Sequence, residues 1–120
     1  MKTIPISFIS FILLFFTSSP AQIAENQAIE SSIRIQKSQK HIIEIKQLKF
    51  IPDYIEVNKG DTITFINNDY VDHDVTEEKT KKWSSSLMKK GNSWSMAAKV
   101  DADYYCTLHV IMKGKIRVKK

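Results

Sequence analysis

From His41 onward, apolar and polar side chains alternate in short bursts. Ile43-Glu44-Ile45-Lys46 has period two, and Leu48 and Phe50 then continue on the opposite parity. That one-residue slip predicts a bulge near Gln47. After Pro52, Tyr54-Ile55-Glu56-Val57 alternates again, and Asn58-Lys59-Gly60-Asp61 reads as a turn. Asp61 to Phe65 is a strand with Ile63 and Phe65 on one face, closed by the loop Asn67-Asn68-Asp69. Thr76 to Asn92 is lysine-rich and fits one turn of helix or an irregular excursion around Trp83, Leu87 and Met88. Trp94, Met96 and Ala98 share a parity, as do Ala102, Tyr104 and Cys106, and Ile116 and Val118 point inward on a last strand. Short alternating strands separated by turn residues predict an all-β antiparallel Greek-key sandwich or barrel. Tyr104, two residues before a cysteine at a strand end, fits either a tyrosine corner or an ordinary core tyrosine.

The first 40 residues follow another pattern. Lys2 precedes an apolar run from Ile4 to Phe16, and Thr17-Ser18-Ser19-Pro20-Ala21 supplies small residues at Ser19 and Ala21. A charged start, an apolar stretch and a small-x-small site predict a secretory signal peptide over 1–21, cut after Ala21. The run is short for a membrane span of about 20 residues, and no cysteine stands at the cut for a lipid anchor. Residues 22–40 form a polar extension and 41–120 the folded domain. An exported, periplasmic protein with no stable membrane insertion follows.

Charge changes the picture little. The chain of 120 residues carries a formal +5, with eleven Lys or Arg against six Asp or Glu from Val71 onward and seven of each before it. Solvated lysines on strand edges account for this, as does attraction to an acidic protein partner or an anionic membrane face. Nucleic acid is not an expected partner for an exported protein.

Cys106 matters more, because it is the only cysteine. In an oxidising compartment it lacks an intramolecular disulfide partner, which leaves a free thiol, an intermolecular bridge or a metal-bound thiolate. The spacing Cys106-x2-His109-x2-Met112 sets a thiolate, an imidazole and a thioether in one tight loop, with a second imidazole, His73, upstream. Two imidazoles, a thiolate and a weak axial thioether suit blue copper. His41, at the start of the first strand, is expected on the surface and outside the set. A Cys–His hydrolase is an alternative, but it gives Met112 no role. Zinc prefers firmer ligands than methionine. Taken singly, Met112 fits a core position and His109 a surface one.

The same residues carry a family resemblance. Over Ile43 to Val118 the chain resembles a cupredoxin, and its ligand loop is similar to that of amicyanin-type small blue copper proteins. Phe50-Ile51-Pro52, Gly60 to Phe65, Asn67-Asn68-Asp69, His73-Asp74-Val75 and Gly114-Lys115 follow in the family's order. Plastocyanins and pseudoazurins have a longer interval before the methionine. The resemblance implies a cupredoxin-like barrel with one copper ion held by His73, Cys106, His109 and Met112 through Nδ1 of each histidine. It also implies an exposed His109 edge as electron port, bordered by Leu108, Val110, Ile111 and Val71. Thr107 would tie the two ligand loops together.

Three positions depart from the family. Asp74 stands where Asn is common, adding negative charge that favours Cu(II). Leu108 and Val110 replace common prolines, and the restored Leu108 amide is expected to donate to the Cys106 sulfur. The resulting expectation is a monomeric one-electron carrier, not an enzyme, cycling Cu(I)/Cu(II). Its redox partner would be a cytochrome or dehydrogenase with an acidic docking face, an amine dehydrogenase among them. Rival readings are a periplasmic copper carrier or buffer, and a structural module whose metal site is unused.

Overall fold

The computed structural model describes residues 37–120, with Phe15 alone before them. The expected signal segment, apart from Phe15, and residues 22–36 of the polar extension lie outside the described residues.

Among the described residues there are eight strands: β1 (Lys40–Lys46), β2 (Lys49–Ile51), β3 (Tyr54–Val57), β4 (Thr62–Asn67), β5 (Thr76–Glu77), β6 (Ser93–Ala97), β7 (Ala102–Tyr105) and β8 (Lys113–Val118). They form two four-stranded sheets, ordered β2-β1-β4-β6 and β3-β8-β7-β5. The fold is the expected all-β Greek-key sandwich. Two pairs, β1 with β4 and β3 with β8, run parallel rather than antiparallel. Crossing from sheet to sheet brings sequence-distant strands together in the same direction, which alternation alone does not reveal. Among the described residues, no helix is long and apolar enough to cross a membrane.

The alternation has the burial expected of it. Ile43, Ile45, Ile63, Phe65, Tyr104 and Ile116 are buried between the sheets. Phe50 and Phe65 set their rings edge-on to Tyr104, with centroids 4.9 and 5.2 Å away. Tyr104 is an ordinary core tyrosine, not a corner: its hydroxyl is buried and has no hydrogen-bond partner among the described residues. Burial pushes its ionisation up, so it stays protonated. Gly114 faces Tyr104 across the β7–β8 ladder. A Cβ built on Gly114 would run into the Tyr104 ring, so glycine is required there by space.

The parity slip near Gln47 is not a bulge. Gln47 and Leu48 form a two-residue hairpin turn, both with positive φ (51° and 57°), and Ile45 pairs with Phe50 across it. A second clasp lies at the other end of β1. Asp61 accepts the Gln39 and Asn58 amides at 2.9 Å and meets His41 Nε2 at 2.8 Å. His41 is therefore half-buried and paired, not a free surface residue.

No helix forms between Thr76 and Asn92. The segment is held by backbone instead, through bridges of His73 with Met88 and of Thr76 with Ser84.

Candidate metal centre

Cys106 follows β7 directly and Met112 precedes β8, so the six-bond loop between them springs from adjacent antiparallel strands. Its neck is closed by backbone: the Cys106 amide donates to the Met112 carbonyl at 3.2 Å, and the Met112 amide to the His109 carbonyl at 2.9 Å. The same two bonds hold Cys106, His109 and Met112 in one turn.

His73 arrives from the loop after β4. Its amide and carbonyl pair with Met88 at 3.1 and 2.8 Å, and Asn67 Nδ2 donates to the Val71 and Met88 carbonyls. Asn67 is fully buried, so this brace is shielded from water.

The two segments meet at the sulfur. Cys106 Sγ lies 3.7 Å from His73 Nδ1 and 3.8 Å from His109 Nδ1. One donor atom from each of the three residues falls within 4.8 Å of the others. A first-row metal such as zinc bonds sulfur and imidazole nitrogen at about 2.0–2.3 Å, so three donors around one ion stand roughly 3.5–4 Å apart. The two sulfur–nitrogen separations therefore suit a single ion. His73 and Cys106 are buried, Met112 is 2% exposed beside them, and His109 is half-buried. His41 lies outside the cluster, as the sequence implies.

Asp69 was read only as part of a turn, yet its carboxylate reaches His73 Nε2 at 3.1 Å. The Leu48 amide first, then His73 and Tyr70, hold the Asp69 carboxyl below its usual range against the upward push of burial. An ionised carboxylate only accepts, so Nε2 carries the proton and the Nδ1 lone pair is free toward the sulfur. The one sequence signal for this was an acid four residues before a histidine.

Asp74 ties the two loops together. It accepts the Thr107 amide at 2.8 Å and also the Thr107 hydroxyl. Thr76 adds a longer hydroxyl contact. The expected Leu108 amide bond to sulfur is not formed: among the described residues, the neighbours of Sγ at hydrogen-bonding range are the two imidazoles. Leu108, Val110 and Ile111 are exposed, as are Tyr70 and Val71 on the loop before His73. Lys90 stands over the Tyr70 ring at 3.5 Å.

Comparison with known proteins identifies the family. The chain is 30% identical to amicyanin of Paracoccus denitrificans over 84 residues, 65% of this chain and 64% of that protein. It thus spans a little under two thirds of that relative's length. A Cu(I) structure of an amicyanin variant superposes with a TM-score of 0.62 at 27% identity, covering 67% of this chain and 82% of that one. A copper-containing nitrite reductase from Thermus scotoductus shares the fold alone, with a TM-score of 0.61 at 22% identity, covering 66% of this chain but only 22% of the reductase. Copper is the one-ion cofactor of this fold family, and the donor set above suits it. Residues 36–119 match the sequence model of the copper-binding plastocyanin/azurin proteins, and the chain belongs to that cupredoxin family.

Proposed function

We propose that His73, Cys106, His109 and Met112 hold the copper ion and that the protein is an exported one-electron carrier. The observation that carries this reading is the meeting of one thiol sulfur and two imidazole Nδ1 atoms at 3.7 and 3.8 Å, with Cys106 and His73 buried. Copper bound by such a set exchanges one electron between Cu(I) and Cu(II) with little change in its ligands.

The chain's own residues supply the rest. Asp69 fixes the His73 tautomer, and Asp74 with Thr107 locks the two ligand loops at a set distance. Both braces are built from the protein's own groups, so they oppose the geometry change that would slow electron exchange. Met112 and Val75 are buried in the same core cluster as Cys106, which favours a dry surrounding for the sulfur. His109 is the half-buried member of the set, and exposed Leu108, Val110 and Ile111 beside it suit a desolvated contact with a redox partner. Lys49 and Lys90 near this end favour a partner with an acidic face, such as a cytochrome or a dehydrogenase. The resemblance to amicyanin makes an amine dehydrogenase one candidate donor.

Under this reading, residues 1–21 are removed on export and 22–40 precede a copper domain of 41–120 that works as a monomer without substrate chemistry of its own. Adding Cu(II) should give an intense visible absorption from thiolate-to-copper charge transfer, bleached by ascorbate and restored by a mild oxidant. A colourless complex that gives its copper to a chelator would overturn the electron-carrier reading and favour a copper carrier or buffer.

A further inference from the structure

We infer a second binding site, remote from the ligand loop, for a small organic anion with a flat apolar body. It lies on the flank where the terminal strands of the two sheets, β5 and β6, approach through the 78–92 excursion. A cavity of about 480 Å³ opens there, lined by Trp83, Trp94, Met96 and Val100, with Lys82 and Lys99 at its rim. Small-molecule sites have volumes of about 300–1,000 Å³.

The apolar wall is braced by the core and by β5. Trp83 and Trp94 stand 5.8 Å apart at 31°, and Trp94 rests in turn on Phe65 of the core at 6.0 Å. Trp83 is tethered to β5, because its carbonyl accepts the Glu77 amide at 3.0 Å. Two neighbouring indoles, tilted 31° to one another beside a methionine, offer a ring system apolar faces to pack on.

Charge selects the ligand. Both rim lysines are exposed, and among the described residues neither has a carboxylate partner. Among the described residues, no acid lines the cavity. A carboxylate or sulfonate on a flat apolar body would satisfy the ammonium groups and the indoles together. A neutral ring would leave the lysines unused, and a simple inorganic anion would leave the indoles bare.

The location separates this site from the metal. Trp94 and Met96 pair with Phe65 and Ile63 of β4, so the groove runs from mid-strand toward Lys99, away from Asn67 and the ligand loop. None of the residues named for copper lines it.

The two tryptophans are the only ones in the chain, so indole fluorescence reports on this groove alone. Titrating the full-length protein with anilinonaphthalene sulfonate should quench that fluorescence with a saturable, single-site curve. Lys82→Gln with Lys99→Gln should weaken that binding about three- to tenfold while leaving uncharged phenylnaphthylamine unaffected. The substitutions lie on exposed side chains, so folding is preserved and the circular dichroism spectrum should not change. Probe fluorescence that rises without indole quenching would place binding on another apolar face and overturn the inference. So would equal affinity for both probes, affinity unchanged in the double variant, or quenching only by an acidic peptide.

Discussion

Asp69 joins His73 to the β1–β2 hairpin: one carboxylate oxygen receives His73 Nε2 at 3.1 Å and the Leu48 amide at 2.9 Å. A backbone turn in one sheet thereby orients an imidazole that arrives on another loop. Removing the carboxylate frees the ring to flip or change tautomer. Asp69→Ala should weaken copper affinity by about 10- to 100-fold, measured by competition against a chelator of known affinity. Equal affinity in the variant would show that packing alone orients His73.

Asp74 combines a structural bond with a charge. In Asp74→Asn, the side-chain carbonyl still accepts the Thr107 amide, while the negative charge near the metal is gone. Cu(II) then loses more stabilisation than Cu(I), so the reduction potential should rise. Asp74→Ala should instead lower thermal stability, because the Thr107 amide and hydroxyl lose their acceptor. Equilibrium redox titration reads the first effect and calorimetry the second; an unchanged potential in Asp74→Asn contradicts the charge argument.

Tyr104 carries a buried hydroxyl with no partner among the described residues. Tyr104→Phe deletes that polar atom and keeps the ring contacts with Phe50 and Phe65. Stability should rise by about 1 kcal/mol in urea unfolding. Gly114→Ala should cost about 1–3 kcal/mol by forcing a methyl against the same ring. A loss of stability in Tyr104→Phe would reveal a partner for the hydroxyl.

Acid should loosen the clasp at the far end of β1. The Gln39 amide first, with His41 and the Asn58 amide, lowers the Asp61 carboxyl from its usual 3.8 to about 2. Its folded-state value lies below its unfolded one, so its stabilisation is complete above the unfolded value. It is lost as pH falls from there through about 2. Glu77, held at about 2 chiefly by the Thr80 hydroxyl, adds to the same loss. Urea midpoints between pH 5 and pH 2 should fall less steeply in Asp61→Asn than in the native chain, keeping the Glu77 part. Parallel curves would remove Asp61 from the acid response.

The sandwich was legible because its strands bury alternate residues, and Ile43, Ile45, Ile63 and Phe65 show that period directly. The loop from Cys106 to Met112 was legible as a candidate site because three donor types at fixed short spacing leave few chemical uses. Other features were hidden for definite reasons. A bulge and a two-residue turn shift parity identically, and Gln47-Leu48 lacks the Asn-Gly signature of a tight hairpin. The parallel pairing of β1 with β4 follows from crossings between sheets, which no local pattern encodes. His41 and Asp61 are 20 positions apart, so their pairing depends on that register. Asp69 looked like a loop acid because its second role needs the hairpin and His73 to converge. Trp83 and Trp94 belong to segments with no shared pattern and meet only where the two sheets end.

The central claim is that one sulfur and two imidazoles bind the copper, and copper K-edge X-ray absorption tests it most directly. The native protein loaded with one equivalent should show a short copper–sulfur shell beside imidazole nitrogen. Cys106→Ser should lose that shell, and His41→Ala should keep it. A native spectrum of nitrogen and oxygen alone, or a sulfur shell that survives Cys106→Ser, would contradict the account.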